Sequence, residues 1–266
     1  MRLSICEFTT LTATFDEDLA AYGAAGVEGV GVCEFKLGDR SAERLRESGL
    51  RATHCIPSVP SILPLPLMEG PAEPEERIEA ICASVRRLAG LEPVCVVFLT
   101  GPGDADDVVR EGIGAVADAG QAAGVTVALE PVHPSQADVF SFAHTIEDAL
   151  ELIGPAPVGI MLDLWHICDP KAIATHADRI VGVHVSDRRE PTRGHFDRVL
   201  PGDGVLDLAA AFRALDAAGY DGWYDVEIFS DNGVFGDAHP DSLWDMDAGE
   251  LASRARESVE RLLEQV

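Results

Sequence analysis

The chain has 266 residues, of which 47% are hydrophobic and 25% are charged, and its formal net charge is −26 at pH 7. This composition can fill a large core and is unlike that of disordered or membrane-embedded chains. Because such a charge repels phosphate backbones and anionic lipids, we expect neither nucleic acid nor a membrane as a partner.

Short apolar runs rich in β-branched residues alternate with amphipathic helical patterns along the chain. Such runs are typical of buried parallel strands. Eight strand–helix units predict a closed (β/α)8 barrel, the TIM barrel, and the length suits a single domain over residues 1–266. The weakest helix is predicted at 171–176. The predicted strands cover residues 3–6, 27–33, 52–56, 94–99, 125–129, 158–162, 180–185 and 223–228.

Three connections are too long to be simple turns, namely residues 57–73, 187–204 and 230–247. The first contains five prolines, which prevent regular structure. Each connection follows a predicted strand, so we expect all three to overhang the same mouth of the barrel. Long loops in that position usually select the substrate and exclude water.

The last four predicted strands each end in a side chain that can bind a metal ion: Glu130, Asp163, His184 and Glu227. In a (β/α)8 barrel the carboxyl ends of the strands form the catalytic face, so these four side chains are expected to meet there. Three carboxylates and one imidazole suit an octahedral cation such as Mn²⁺, Mg²⁺ or Co²⁺ better than a closed tetrahedral Zn²⁺ site. We expect Mn²⁺, with Mg²⁺, Co²⁺ and Zn²⁺ as alternatives.

Four protein ligands leave two positions of an octahedral cation for a carbonyl and a neighbouring hydroxyl of the substrate. The cation then lowers the pKa of the adjacent C–H group, and deprotonation gives a metal-bound enediolate. Glu130 and Glu227 each keep a second carboxylate oxygen that can take up or return the proton. These two glutamates are therefore the predicted acid–base pair.

Five motifs in chain order carry a family resemblance: L-E-P at Glu130, L-D-x-x-H from Asp163, H-V-S-D from His184, R-V-L-P-G-D-G from Arg198, and V-E-I-F around Glu227. Together they resemble the xylose isomerase-like TIM barrels, and within these the sugar phosphate isomerase/epimerase group. The resemblance implies a metal-dependent isomerase or epimerase acting on a sugar or sugar phosphate by proton transfer.

By position, the resemblance makes the four strand-end residues the metal ligands, and His166 and Arg198 the groups that hold substrate oxygens. For His166 the alternative is a histidine that caps its own loop, and for Arg198 it is a surface salt bridge with Asp197 or Asp203. His54, at the end of the third strand, is a further candidate for substrate contact; a core histidine bonded to a backbone carbonyl is the alternative.

Other polar residues near the predicted strand ends are weaker candidates. Asp187 is expected to orient His184 or a loop amide. Glu7 and Glu34 could contact the substrate, and Trp165 and Trp244 could supply an apolar wall, although packing is the commoner role for such residues.

Departures from the family pattern narrow the choice of activity. Gln136 stands where ketohexose epimerases carry a further glutamate that contacts the terminal hydroxyls of the substrate. The extra histidines of metal-dependent apurinic-site endonucleases are missing after residues 98–100 and at Val199. We find no second carboxylate cluster of the kind that hydride-shifting xylose isomerases need, so proton transfer is preferred.

Three functions remain open at this point. The leading one is the isomerase or epimerase, acting on a small polyhydroxy carbonyl compound. The second is a dehydratase of the inosose or 3-dehydroshikimate type, in which the same carbanion expels a β-hydroxyl group. The third is a non-catalytic sugar-binding subunit that has kept the metal. A homodimer or homotetramer is the expected assembly.

The six cysteines include no C-x-x-C pair, and four of them lie in apolar strand-like runs where a thiol behaves as a small hydrophobic group. A carboxylate at Glu7 interrupts the first apolar run, and no apolar span approaches twenty residues. We therefore expect a reducing, cytoplasmic location.

Overall fold

The computed structural model describes residues 1–266 and contains a parallel barrel surrounded by helices. The barrel strands are β1 (Arg2–Cys6), β2 (Gly29–Gly31), β3 (Arg51–Ala52), β4 (His54–Cys55), β5 (Cys95–Phe98), β6 (Val127–Leu129), β7 (Val158–Asp163), β8 (Ile180–Val185) and β11 (Trp223–Val226). Between the last two lies a short antiparallel hairpin of β9 (Asp187–Arg188) and β10 (Arg198–Val199).

The strand order is β3-β2-β1-β11-β8-β7-β6-β5-β4, and every pairing within it is parallel. The two ends of this order, β3 and β4, are halves of one strand on either side of Thr53, so the sheet closes on itself. This closure confirms the predicted (β/α)8 fold, with the predicted third strand split in two.

Eight α-helices cover the outside of the barrel. They are α1 (Phe15–Ala25), α2 (Ser41–Ser48), α3 (Pro74–Leu88), α4 (Asp107–Ala123), α5 (Ile146–Ile153), α6 (Pro170–His176), α7 (Leu208–Ala217) and α8 (Ala248–Leu263). The short sixth helix is where the sequence predicts it. Helix α2 ends at Gly49, whose φ of 76° is a left-handed conformation that glycine adopts without the penalty of a Cβ.

The main core is a continuous cluster of 53 buried residues that fills the space between the helices and the outer face of the barrel. Strand β7 is buried along its whole length, as expected of a parallel strand covered on both faces. All six cysteines are free thiols and five of them are buried, including the four predicted to act as small core residues, which are Cys6, Cys33, Cys55 and Cys95. No helix is both long and apolar enough to cross a bilayer.

The proline-rich connection, residues 57–73, contains no helix or strand and is held by a buried arginine on α3. The Arg77 guanidinium donates hydrogen bonds to the carbonyl and hydroxyl oxygens of Ser61 and to the carbonyl oxygen of Pro71. Because these acceptors lie near the two ends of the connection, one side chain fixes its path across the barrel mouth. The connection is therefore an ordered wall of the site described next.

Candidate active site

Four side chains from neighbouring strands converge at the carboxyl end of the barrel. Glu130 directly follows β6, Asp163 ends β7, His184 is the penultimate residue of β8, and Glu227 directly follows β11. One ligand atom from each of the four lies within 4.8 Å of those of the other three, and all four residues are buried. We call this group the carboxylate–histidine cluster. The structure thus brings together the four residues that the sequence singles out.

The size and chemistry of this cluster fit one divalent cation. The limit of 4.8 Å between ligand atoms is close to the roughly 4.2 Å that separates ligands on opposite sides of an octahedral ion with bonds of about 2.1 Å. Neither ring nitrogen of His184 has a hydrogen-bond partner although the residue is fully buried. Its Nδ1 lies 3.3 Å from Oε2 of Glu227 without the angle of a hydrogen bond. A buried imidazole left unpaired in this way is suited to binding an ion.

Burial and mutual repulsion dominate the electrostatics of the cluster. Burial, followed by the negative charge of Glu227, raises the pKa of Glu130 to about 8. Burial likewise raises the pKa of Asp163. Burial would raise the pKa of Glu227, but the attraction of the neighbouring His184 imidazole and of Arg198 prevails and lowers this pKa to about 2. The three carboxylates of the cluster therefore repel one another, and a bound cation would relieve this repulsion.

Arg198 enters the cluster from the hairpin. Its Nη1 lies 2.7 Å from Oδ2 of Asp163 and 3.1 Å from Oε2 of Glu227, and the residue is buried. The alternative of a surface salt bridge is wrong: Asp197 pairs with Arg189 and Arg193 instead. Successive residues of a strand point to opposite faces, and Arg198 on β10 therefore points inward while Asp197 points outward.

His166 stands beside Arg198 at the edge of the cluster. Its Nδ1 accepts a hydrogen bond from the backbone N–H of His133, and its Nε2 lies 3.3 Å from Nη2 of Arg198. The partner belongs to the connection after β6, so the alternative in which His166 caps its own loop is also wrong. Burial, followed by the positive charge of Arg198, lowers the pKa of His166 well below its usual value and keeps the ring neutral.

His54 lies beneath the cluster instead of beside the substrate space. Its ring centroid is 5.3 Å from that of His184, it is fully buried, and it does not line the cleft above the cluster. Its predicted role in substrate binding therefore finds no support. The alternative of a core histidine bonded to a backbone carbonyl is wrong, because neither ring nitrogen has a hydrogen-bond partner. The ring fits because residue 182 is glycine, where a Cβ would lie 2.5 Å from Nε2 of His54.

Sequence reasoning missed Asp225, which shares this inner layer. Its Oδ2 accepts a hydrogen bond from the Thr53 hydroxyl and lies 3.5 Å from Nδ1 of His54. Burial, only partly offset by His184, raises the pKa of Asp225 to about 7. The signal was present, since Asp225 precedes Glu227 by two positions and side chains at that spacing share one face of a strand.

A cleft opens above the cluster and is lined by Glu130, His166, Arg198, Glu227 and a set of apolar residues. All three long connections contribute to it, through residues such as Met68, Phe196 and Phe235, which confirms that they overhang one mouth. Six phenylalanines line the cleft. They are Phe8, Phe98, Phe140, Phe196, Phe229 and Phe235.

Other predicted contacts lie elsewhere. Glu7 accepts a hydrogen bond from the backbone N–H of Cys33. Glu34 accepts hydrogen bonds from the backbone N–H of Ser58 and from the hydroxyl of Ser84. Neither glutamate lines the cleft. The two candidate tryptophans, Trp165 and Trp244, do not line it either. Trp244 donates its indole N–H to the carbonyl oxygens of Phe8 and Ile228, whereas Trp165 packs against the guanidinium of Arg198.

Asp187 binds loop amides, one of the two roles expected of it. Its carboxylate accepts hydrogen bonds from the backbone N–H groups of Arg188, Gly202 and Leu206. It thereby closes the 187–204 connection at its base and fixes the hairpin that carries Arg198.

These features define a class of protein: a (β/α)8 barrel with a buried carboxylate–histidine cluster at the catalytic face. The family model for the xylose isomerase-like TIM barrel matches residues 17–264. The chain therefore belongs to the xylose isomerase-like TIM barrel family.

Solved structures and named relatives agree with this assignment. A protein from Sinorhizobium meliloti 1021 superimposes with a TM-score of 0.82 at 27% identity, covering 98% of both chains. An IolI protein with a bound zinc atom gives a TM-score of 0.78 at 20% identity, covering 100% of this chain and 99% of the other, and an L-ribulose 3-epimerase gives 0.76 at 24%, covering 99% and 94%. The last two likenesses show the fold alone.

Two named relatives match part of the chain. The inosose dehydratase of Geobacillus thermodenitrificans is 26% identical over 147 residues, which are 48% of this chain and 48% of the relative. That of Geobacillus kaustophilus is 32% identical over 146 residues, or 47% and 43%. The matched segment thus spans about half the length of each relative.

Proposed function

We propose that the protein is a divalent-metal-dependent isomerase or epimerase that moves a proton next to the carbonyl group of a small hydroxy carbonyl compound. The observation that carries the proposal is the convergence of Glu130, Asp163, His184 and Glu227 on one buried point beneath an open cleft. Mn²⁺ is the proposed cation, because three carboxylates and one imidazole suit a metal that favours octahedral geometry. These four residues would hold it.

When bound, the cation would polarise the substrate carbonyl and lower the pKa of the adjacent C–H group. The residues of the chain supply the rest. Glu130 and Glu227 line the cleft and are the proposed base and acid, taking the proton from one carbon and returning one to the same or a neighbouring carbon. Glu227 is oriented for this by the Cys6 thiol, whose Sγ lies 3.7 Å from its Oε1.

Arg198 and His166 are the proposed groups that hold substrate oxygens. The Arg198 guanidinium is a fixed positive charge at the floor of the cleft, where negative charge develops on the substrate oxygens. The neutral His166 ring keeps its Nδ1 on the backbone of His133, which leaves Nε2 facing Arg198 and the cleft. Both side chains are buried, so they can orient a reactant without first being ordered.

The reaction is tested by proton exchange in D₂O. Activity assays contain Mn²⁺, and the NMR experiments contain Mg²⁺ instead. A panel of α-hydroxy ketones and aldehydes is incubated with the protein in D₂O and followed by ¹H NMR. We expect loss of the C–H signal next to the carbonyl, together with an isomer or epimer of unchanged composition. Substrates that turn over without incorporating deuterium would contradict the proposal, since that result indicates a hydride shift.

A dehydratase is the second candidate, favoured by the likeness to the two inosose dehydratases over about half the chain. The same pair of glutamates would then take the proton and protonate a departing β-hydroxyl group. An enone that absorbs in the ultraviolet, with loss of one water per turnover, would select this candidate over the isomerase.

A further inference from the structure

The wall of the cleft above the carboxylate–histidine cluster is aromatic. Eleven of its sixteen lining residues are hydrophobic, and a twelfth is Pro60. The remaining four are Glu130, His166, Arg198 and Glu227, which all belong to the cluster or its edge. The cleft is therefore divided into a charged floor and an apolar wall.

The wall is a continuous surface built from separate parts of the chain. The ring centroids of Phe196 and Phe229 are 5.3 Å apart with nearly parallel planes, and those of Phe196 and Phe235 are 4.5 Å apart. Phe8 lies 4.5 Å from Phe229, and Phe140 lies 5.8 Å from Phe196. Because four different connections supply these rings, the wall is a feature of the assembled mouth.

No polar side chain outside the floor is available to a ligand in this cleft. Gln136, which stands where ketohexose epimerases carry a substrate-contacting glutamate, is buried, and its amide forms hydrogen bonds with the ring and the backbone of His195. A hydroxyl group placed against the phenylalanines would lose its hydrogen bonds to water and gain none. A carbon ring in the same place would instead bury apolar surface and stack on the phenyl rings.

We infer that the part of the substrate away from the reacting carbons is a largely unhydroxylated carbon ring held against the phenylalanine wall. For the reacting end of the substrate, which meets the metal site, this inference rests on the proposed function. For the rest of the substrate it differs from the polyhydroxy compound expected from the sequence. The reacting end carries the carbonyl and hydroxyl oxygens, and the ring carries the apolar surface.

The test compares two ligands that share a reacting end. Dihydroxyacetone and 2-hydroxyacetophenone are both α-hydroxy ketones, but the second replaces a hydroxymethyl group with a phenyl ring. Binding to the Mg²⁺-loaded protein, and to the protein without Mg²⁺, is measured by saturation-transfer NMR and calorimetry. We expect the phenyl ligand to bind at least about tenfold more tightly. Equal affinities, or a preference for dihydroxyacetone, would overturn the inference.

Variants test whether the preference for the phenyl ligand comes from the phenylalanine wall or from a general attraction of the protein for apolar ligands. Phe235→Ser and Phe196→Ser should reduce the affinity for 2-hydroxyacetophenone by about tenfold and leave that for dihydroxyacetone unchanged, whereas Phe196→Leu should retain most of the preference. The matched control is Val234→Ser, which alters an exposed neighbour of Phe235 outside the cleft. If folded serine variants keep the preference of the parent protein, the inference is wrong.

The same experiment distinguishes this inference from the proposed function. If the phenyl ligand binds tightly and its binding depends on the wall, but no compound of a wider panel exchanges protons, the proposed isomerase activity is contradicted and the inferred ring site is supported. Proton exchange on linear polyhydroxy ketones, with no preference for the phenyl ligand, would support the isomerase and overturn the ring site.

Discussion

Replacing either proposed acid–base residue, by Glu130→Gln or Glu227→Gln, should reduce the rate of proton exchange by about 10²–10⁴-fold. The substitution keeps the size of the side chain and removes its ability to carry a proton. The rate is measured by deuterium incorporation at saturating Mn²⁺, so that weakened metal binding is not mistaken for lost chemistry.

The control for this loss is Glu151→Gln, which changes an exposed glutamate on α5 and should leave the rate unchanged. Circular dichroism and thermal unfolding verify that each variant folds. If both cluster variants exchange protons within a few-fold of the parent rate, neither glutamate is the base.

Removal of divalent cations should abolish activity and lower the thermal stability of the protein. The three carboxylates of the cluster are buried close together, and burial and repulsion already raise the pKa of Glu130 to about 8, so a bound cation relieves an unfavourable arrangement. An ion at a hundred times its dissociation constant stabilises the folded state by about 2.7 kcal/mol. Unfolding curves with chelator and with added Mn²⁺ measure this difference.

His184→Ala should remove the response to Mn²⁺, because it deletes one ligand of the proposed site. His176→Ala is the matched control, since that histidine lies on α6 and pairs with Glu147 away from the cleft. An unfolding temperature that does not change with Mn²⁺ in the parent protein would contradict the metal site.

The fold and the convergence of the four cluster residues followed from the sequence because parallel strands impose both. Each ligand stands at the end of an apolar run, and a closed barrel brings the carboxyl ends of its strands to one face. Side chains almost a hundred positions apart, such as Glu130 and Glu227, thus become neighbours through topology alone. The ends of the strands were less well predicted, as in β2, which is three residues long.

Side chains within the long connections could not be placed in this way. The 187–204 connection contains the β9–β10 hairpin, and only its register shows that Arg198 faces inward and Asp197 outward. The aromatic wall has no periodic pattern in the sequence, since Phe8, Phe140 and Phe235 come from different loops. Their proximity depends on how these loops fold over the mouth, which local propensity does not specify.

The central claim is that one divalent cation binds where Glu130, Asp163, His184 and Glu227 meet, and titration with Mn²⁺ monitored by electron paramagnetic resonance tests it most directly. We expect one tightly bound ion per chain, and loss of that tight site in His184→Ala and Asp163→Ala. Binding of no ion, or of one ion with equal affinity in these variants, would contradict the account.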